Sequence, residues 1–282
     1  MLCDWDSLLA LLPLWMRNSV DKQGRERLQE LCLRVGAPPQ LRLGDGVASI
    51  YGVVSRDDLL FCINMASRYS PWTASTAAQC YITAKGGHRL GICGQAIIDN
   101  GIMMGIRDPT SICIRVARDF QGISGNLQKV TGPTLIIGKP GSGKTTLLRD
   151  LIRCRSKWEK ICVVDERQEL FPLDRSGFLF DPGIQTDVLS GAGKYHGIQA
   201  VLRSMGPECI AVDEITQYED CEALVKAAWC GVKLLATAHA ASREDLLRRS
   251  VYRPILETGI FQSLIILQAD KSFVMENLDD SC

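Results

Sequence analysis

The stretch TLIIGKPGSGKTTLLRDLIR, residues 134–153, decides how the rest of the chain is read. It opens on a short apolar run, passes through a glycine-rich turn and continues into residues that favour a helix. Residues 138–145 match G-x-x-x-x-G-K-[ST] at every fixed position, with the strand before and the helix after that the pattern requires. Glycines at 138, 141 and 143 permit backbone angles closed to other residues. The loop Gly138, Lys139, Pro140, Gly141, Ser142, Gly143, with Lys144, Thr145 and Thr146 opening the helix, is expected to wrap phosphates at the positive helix end. Lys144 would neutralise the β- and γ-phosphates, and the Thr145 hydroxyl would hold Mg²⁺. ATP and Mg²⁺ are the expected ligands.

Beyond the loop, three more apolar runs end in polar groups: ICVVDE (161–166), CIAVDE (209–214) and KLLATAHAAS (233–242). Buried strands alternating with helical segments imply a parallel sheet covered on both faces. Mg²⁺ beside such loops takes a carboxylate from the end of a neighbouring strand, and a second acid one residue on can polarise the attacking water. Spacing alone leaves open which of the two acid pairs does which. The favoured reading assigns Asp213 to Mg²⁺ and Glu214 to the general base, because their strand leaves room for an intervening strand and helix. Asp165 and Glu166 then end the next strand in sequence. The third run carries Thr237 and His239 at its tip, where a polar group can sense the γ-phosphate.

Upstream the pattern differs. LLALLPLWM (8–16) reads as an amphipathic helix interrupted near Pro13. It is too short for a bilayer, which needs ~20 residues, and the acids Asp4 and Asp6 precede it where a secretion signal carries positive charge. Short strands follow at 31–35 and 40–43, then helical spacing over 55–70. A β-rich stretch follows, with turns at Gly86-Gly87 and Asn100-Gly101. The expected organisation is an α+β N-terminal domain over 1–120, a linker over 121–133 and an α/β phosphate-loop domain over 134–282.

Composition narrows the class. The chain has 282 residues, of which 46% are hydrophobic, so a folded core is expected. Lys+Arg and Asp+Glu both number 32, a balance that gives no long-range attraction to nucleic acid or to an anionic membrane. Twelve cysteines form no C-x-x-C pair and are read as reduced thiols acting as small core residues.

The order of loop, VVDE, LRSMGPECIAVDEI and ATAHA resembles the secretion ATPases of type II and type IV systems and the pilus motors. LCLRVGAPPQLRL (31–43), GGHRLGICG (86–94) and RSMGPECIAVDEI (203–215) are similar to a sporulation branch found in endospore formers. The resemblance implies a RecA-like P-loop NTPase core and an ATPase activity. It places Asp165 and Glu166 in an acidic box, makes Glu214 the Walker B acid and makes His239 the histidine-box residue. It also implies a homo-oligomeric, hexameric ring with nucleotide between subunits. Arginines are then expected from the neighbour, Arg89 and Arg107 being preferred over Arg115 and Arg118. A cytoplasmic motor held at a membrane by channel proteins follows, acting between mother cell and forespore, with no nucleic acid expected. Two departures stand out: the glycine-rich GAGK at 191–194, and Thr216 where the family pattern has glycine. Two other readings compete. An AAA+ remodeller or DNA motor lacks room for a full lid after His239, and a nucleotide-gated scaffold would have no use for Glu214.

Overall fold

A computed structural model describes residues 1–67, 80–125, 127, 130–174, 177–268 and 270–278. They fall into two units, Met1–Asp119 with Pro172–Leu179, and Phe120–Phe171 with Phe180–Cys282.

In the first unit Pro13 splits the opening apolar stretch into α1 (Trp5–Ala10) and α2 (Leu14–Asp21), because a ring nitrogen cannot continue the helix ladder. Asp4 caps α1 by accepting the Ser7 N–H at 3.1 Å. Then come β1 (Leu28–Arg34), β2 (Gln40–Leu43), β3 (Gly46–Ser49), α3 (Arg56–Ser67), β4 (Tyr81–Thr83), β5 (Arg89–Asp99) and β6 (Ile102–Arg115). Residues 68–70 of the expected helix lie outside the described residues. The sheet order is β3-β2-β1-β6-β5-β4, and every neighbouring pair is antiparallel. Asn100 and Gly101 have φ of 48° and 79°, the pair of positive angles that a two-residue hairpin turn needs. Strand alternation sends Leu31, Leu33, Leu90, Ile112 and Ile114 into a core with Leu8, Leu12, Met16 and Leu59. The buried His88 ties that core to its edge: its Nε2 lies 2.9 Å from Asp4 O, and its Nδ1 accepts the Ala117 N–H at 3.1 Å.

The second unit carries β7 (Thr134–Gly138), α4 (Lys144–Arg155), β8 (Ile161–Asp165), β9 (Thr186–Ser190), α5 (Lys194–Ser204), β10 (Cys209–Ile215), α6 (Tyr218–Trp229), β11 (Lys233–Ala238), α7 (Arg243–Arg248), α8 (Arg253–Glu257), β12 (Ser263–Leu267) and β13 (Phe273–Asn277). Their order is β9-β8-β10-β11-β7-β12-β13. All pairs are parallel except β12 with β13, so an antiparallel edge strand closes a sheet expected to be parallel. Every residue of β7 and β8 is buried, as two covered faces demand. α4 packs against β7, β10 and β11. Leu135, Ile137, Val164 and Val212 join α5 and α6 residues in a second core. Each Leu or Ile so buried contributes about 1.5–3 kcal/mol.

Two boundaries differ from the expected ones. Residues 121–133, expected as a linker, fall within the second unit. Asp150 of α4 accepts the N–H groups of Gly122 and Ser124 at 2.9 and 2.7 Å. Residues 126, 128 and 129 of that segment lie outside the described residues. Pro172–Leu179, expected inside the phosphate-loop domain, belongs to the first unit and contains a short hairpin of Leu173–Asp174 and Gly177–Phe178. A Cβ on Gly87 would meet Pro172 Cγ at 3.0 Å, so the Gly86-Gly87 turn leaves room for it.

Candidate functional site

The strand order places the candidate residues side by side. β11 lies between β7 and β10, and β8 flanks β10 on the other side. The carboxyl ends of these parallel strands therefore carry the phosphate loop, His239, the Asp213-Glu214 pair and Asp165 along one edge, where open α/β sheets bind ligands.

The loop is shaped by close approach and by positive angles. Gly141 and Gly143 have φ of 74° and 104°. A Cβ on Gly138 would meet Ser142 Oγ at 2.5 Å and Leu267 Cβ at 3.1 Å, so only glycine fits there. Lys144 is buried at the first turn of α4. Its Nζ donates to Gly138 O at 2.9 Å, to Lys139 O at 3.2 Å and to His239 Nδ1 at 2.9 Å. Burial pushes its pKa down, and the negative charges of Asp213 and Glu214 pull it part of the way back.

At Asp213 and Glu214 the β10–β11 ladder skips. Val212 pairs with Ala236 and Ile215 with Ala238, so both acids oppose the single residue Thr237. Such a bulge re-aims side chains. Glu214 adopts φ of 45°, a left-handed angle that costs a non-glycine residue roughly 1–3 kcal/mol. Thr237 holds the kink from both sides. Its Oγ1 accepts the Glu214 N–H at 2.7 Å and donates to Asp213 Oδ1 at 2.6 Å. The other oxygen, Asp213 Oδ2, accepts from Thr145 Oγ1 at 2.7 Å. Glu214 Oε1 lies 2.9 Å from His239 Nε2. Because the Lys144 ammonium can only donate, Nδ1 of His239 is the acceptor and Nε2 carries the proton toward Glu214. Tyr252 fixes this arm, its hydroxyl accepting the His239 N–H at 3.2 Å.

Asp165 and Glu166 make two kinds of contact. Asp165 is buried and accepts the N–H groups of Glu169, Leu170 and Phe171 at 2.9, 3.1 and 2.8 Å. Burial drives its pKa up to about 6 despite those bonds, with Asp213 adding to the rise. Glu166 instead faces Lys194, whose buried Nζ lies 2.5 Å from Oε2. A small cavity is lined by Asp165, Glu166, Glu169, Asp213 and Glu214 together with the cations Arg167 and Lys194. The glycine-rich GAGK stretch thus supplies a cation to an acidic cluster.

A family model described as sporulation stage III, protein AA matches residues 6–275. The chain belongs to that family. Stage III sporulation protein AA of Bacillus subtilis (strain 168) is 34% identical over an alignment that covers 94% of this chain and 92% of the relative. Among solved structures, the ATPase DotB of Yersinia pseudotuberculosis superposes with a TM-score of 0.61 at 15% identity, over 94% of this chain and 79% of its own. The pilus retraction motor PilT, solved with bound ADP, gives 0.61 at 15% identity over 92% and 80%. These likenesses show a shared fold, the RecA-like core of secretion ATPases with a separate antiparallel-sheet unit.

Three contacts at the candidate site have no role assigned from the sequence: Tyr252 behind His239, Lys194 on Glu166, and Lys271; Thr237 reads there as part of a polar strand tip, not as the group that holds the kink. The Lys271 ammonium donates to Gly141 O at 2.6 Å from the turn between β12 and β13. A threonine at a strand tip and a glycine-rich lysine were visible signals, whereas Tyr252 and Lys271 had none. Arg89 and Arg107 lie in the first unit, on β5 and β6. Arg89 stacks over Tyr81 at 4.0 Å and Arg107 Nε donates to Gln95 Oε1 at 2.9 Å. Arg115 pairs with Glu30 at 3.1 Å, and Arg118 donates to Glu26 O at 2.9 Å.

Proposed function

We propose that this chain binds and hydrolyses ATP with Mg²⁺ and uses the energy as the mechanical motor of a secretion-like channel complex. The observation that carries the reading is the bulge at residues 213–214. It turns Asp213 onto Thr145 and Glu214 onto His239, the contacts expected if the two acids serve the metal and the water of a hydrolytic site.

The residues present fit the nucleotide. Ser142 Oγ, in the loop, is buried without a hydrogen-bond partner among the described residues, and a buried hydroxyl of that kind calls for an acceptor. Lys144 and the N–H groups of residues 141–146 would hold the phosphates, and Thr145 with Asp213 would hold Mg²⁺. Bound Mg²⁺ would neutralise charge on the phosphate oxygens. Glu214 would take the proton of the attacking water at a carboxylate oxygen, oriented by His239 Nε2–H. Glu166 would lie at the rim, its charge matched by Lys194.

The likeness to DotB, named an ATPase, and to PilT, named a pilus retraction motor, supports the motor reading. In this reading the chain assembles as a hexameric ring, and Arg89 and Arg107 of one subunit approach the nucleotide of its neighbour. Membrane proteins of the channel would hold it peripherally at a cytoplasmic face, during endospore formation. Among the described residues no helix is long and apolar enough to cross a membrane.

Mass measurement of wild type and Lys144→Ala, with and without ATP and Mg²⁺, tests this reading, together with released phosphate. Nucleotide-promoted rings and phosphate release by the wild type only are expected. A wild type that stays monomeric and releases no phosphate, channel partners included, contradicts the proposal.

A further inference from the structure

The cysteines do not all behave as core residues. Cys62, Cys154, Cys162, Cys209 and Cys221 are buried, but Cys32 and Cys113 are only partly buried and face each other. They are register partners on β1 and β6. The backbone bonds Val35 N to Thr110 O and Val116 N to Gln29 O, both 3.0 Å, mark residues 35/110 and 29/116 as hydrogen-bonded pairs. Alternation then makes Cys32/Cys113 a non-hydrogen-bonded pair, the type whose side chains stand closest, with Cα atoms about 4.5 Å apart. The same alternation turns both sulfurs away from the core that Leu31, Leu33, Ile112 and Ile114 enter.

The two sulfurs are 3.5 Å apart. Glu30, on the same face of β1, brings a carboxylate oxygen, and all three ligand atoms lie within 4.8 Å of one another. A tetrahedral ion with bonds of about 2.3 Å to sulfur and about 2.0–2.2 Å to oxygen spaces its ligands roughly 3.5–3.8 Å apart. The sulfurs, at 3.5 Å, stand within about 0.3 Å of the sulfur–sulfur edge of such a site. Two guanidinium groups position the carboxylate: Arg115 Nε at 3.1 Å from Oε1 and Arg42 Nε at 3.6 Å from Oε2. On the far side, the β5 partner of Cys113 is Gly91. Among the described residues, a Cβ there would have only the Cys113 carbonyl within 4 Å, at 3.8 Å, so Gly91 itself puts no side chain beside the sulfurs.

We propose that Cys32, Cys113 and Glu30 form a binding site for a thiophilic cation of the zinc class, with a fourth coordination position open to solvent. Two thiolates select a borderline-soft ion over Mg²⁺ or Ca²⁺, which take oxygen donors. The ion would cross-link two strands whose ligands are 81 residues apart in the chain. That separation hides the site from any search for cysteine spacing. The proposal is independent of the nucleotide reading.

The test is titration of the fully reduced chain with Zn²⁺ against a chromophoric chelator, paired with thermal unfolding with and without Zn²⁺. The wild type is expected to take up one tight equivalent and to unfold at a higher temperature when it is bound. Cys32→Ser and Cys113→Ser should each weaken that equivalent beyond the ~10–100-fold cost of losing an outer partner, and should lose the thermal shift. Cys93→Ser, on an exposed cysteine of β5, should leave both intact. Glu30→Gln keeps both sulfurs and decides the matter if the cysteine variants fold poorly: weaker Zn²⁺ uptake supports the site and wild-type uptake overturns it. A wild type without a tight equivalent, or Cys→Ser variants that retain it, also overturns the proposal.

Discussion

His239 Nε2 lies 2.9 Å from Glu214 Oε1, while the other nitrogen of the same ring receives the Lys144 ammonium. One imidazole therefore spans from the lysine of the phosphate loop to the acid that would activate water. His239 is thus in contact with both groups at once.

The kink that presents the two acids depends on one hydroxyl. Thr237→Val removes the acceptor of the Glu214 N–H and a donor to Asp213. Leaving those groups unsatisfied is expected to cost about 1–3 kcal/mol, measured by urea unfolding, and to lower affinity for Mg²⁺-ATP. Thr237→Ser should restore both. A valine variant as stable as wild type would mean that the bulge is held by something else.

Asp165 gives a pH dependence with a defined sign. Its carboxyl is raised to about 6, first by burial, against about 3.9 in an unfolded chain. Between those values the folded chain keeps a proton that the unfolded chain has lost, so this residue's contribution falls as pH rises. Asp165→Asn removes the titration. The stability of wild type relative to the variant should therefore be greater at pH 4.5 than at pH 7, by roughly 2 kcal/mol. A difference that does not change with pH would contradict the raised pKa.

Arg155 anchors the far end of α4. It is fully buried, pairs with the buried Glu159 and donates to the carbonyls of Thr131 and Gly132 at 3.0 and 3.1 Å. Arg155→Met leaves Glu159 with Lys233 at 3.2 Å as its remaining cation. A loss of about 3–5 kcal/mol is expected in urea unfolding. Arg27→Met, at an exposed pair with Asp45, should change stability by less than about 1 kcal/mol. Equal effects at the two sites would remove the argument from burial.

The sequence made the phosphate-loop core legible because its signals are local. A complete loop pattern, apolar strands ending in acids and an Asn-Gly turn each act through a few adjacent residues. The order of the strands was not legible: β11 lies between β7 and β10 although it follows both in the chain, and that order brings Thr237 to Asp213. Glu214 was readable as an acid at a strand end, but its left-handed backbone was not, because glutamate carries no preference for that angle. The long-range partners escaped for the same reason. Tyr252 behind His239, Lys271 on Gly141 and Cys113 on Cys32 are joined by tertiary packing, not by spacing. Asp150 and Arg155 belong to the same class: nothing local in the helix sequence marks them, yet they bind the segments before β7.

The nucleotide that Glu214→Gln retains tests the central claim most directly. The variant is incubated with ATP and Mg²⁺, separated from free ligand and extracted, and the bound nucleotide is identified beside that of the wild type. Because glutamine cannot take the proton from water, the variant is expected to retain ATP while the wild type holds ADP. Recovery of ADP from the variant at the wild-type level, or of no nucleotide from either protein, would contradict the account.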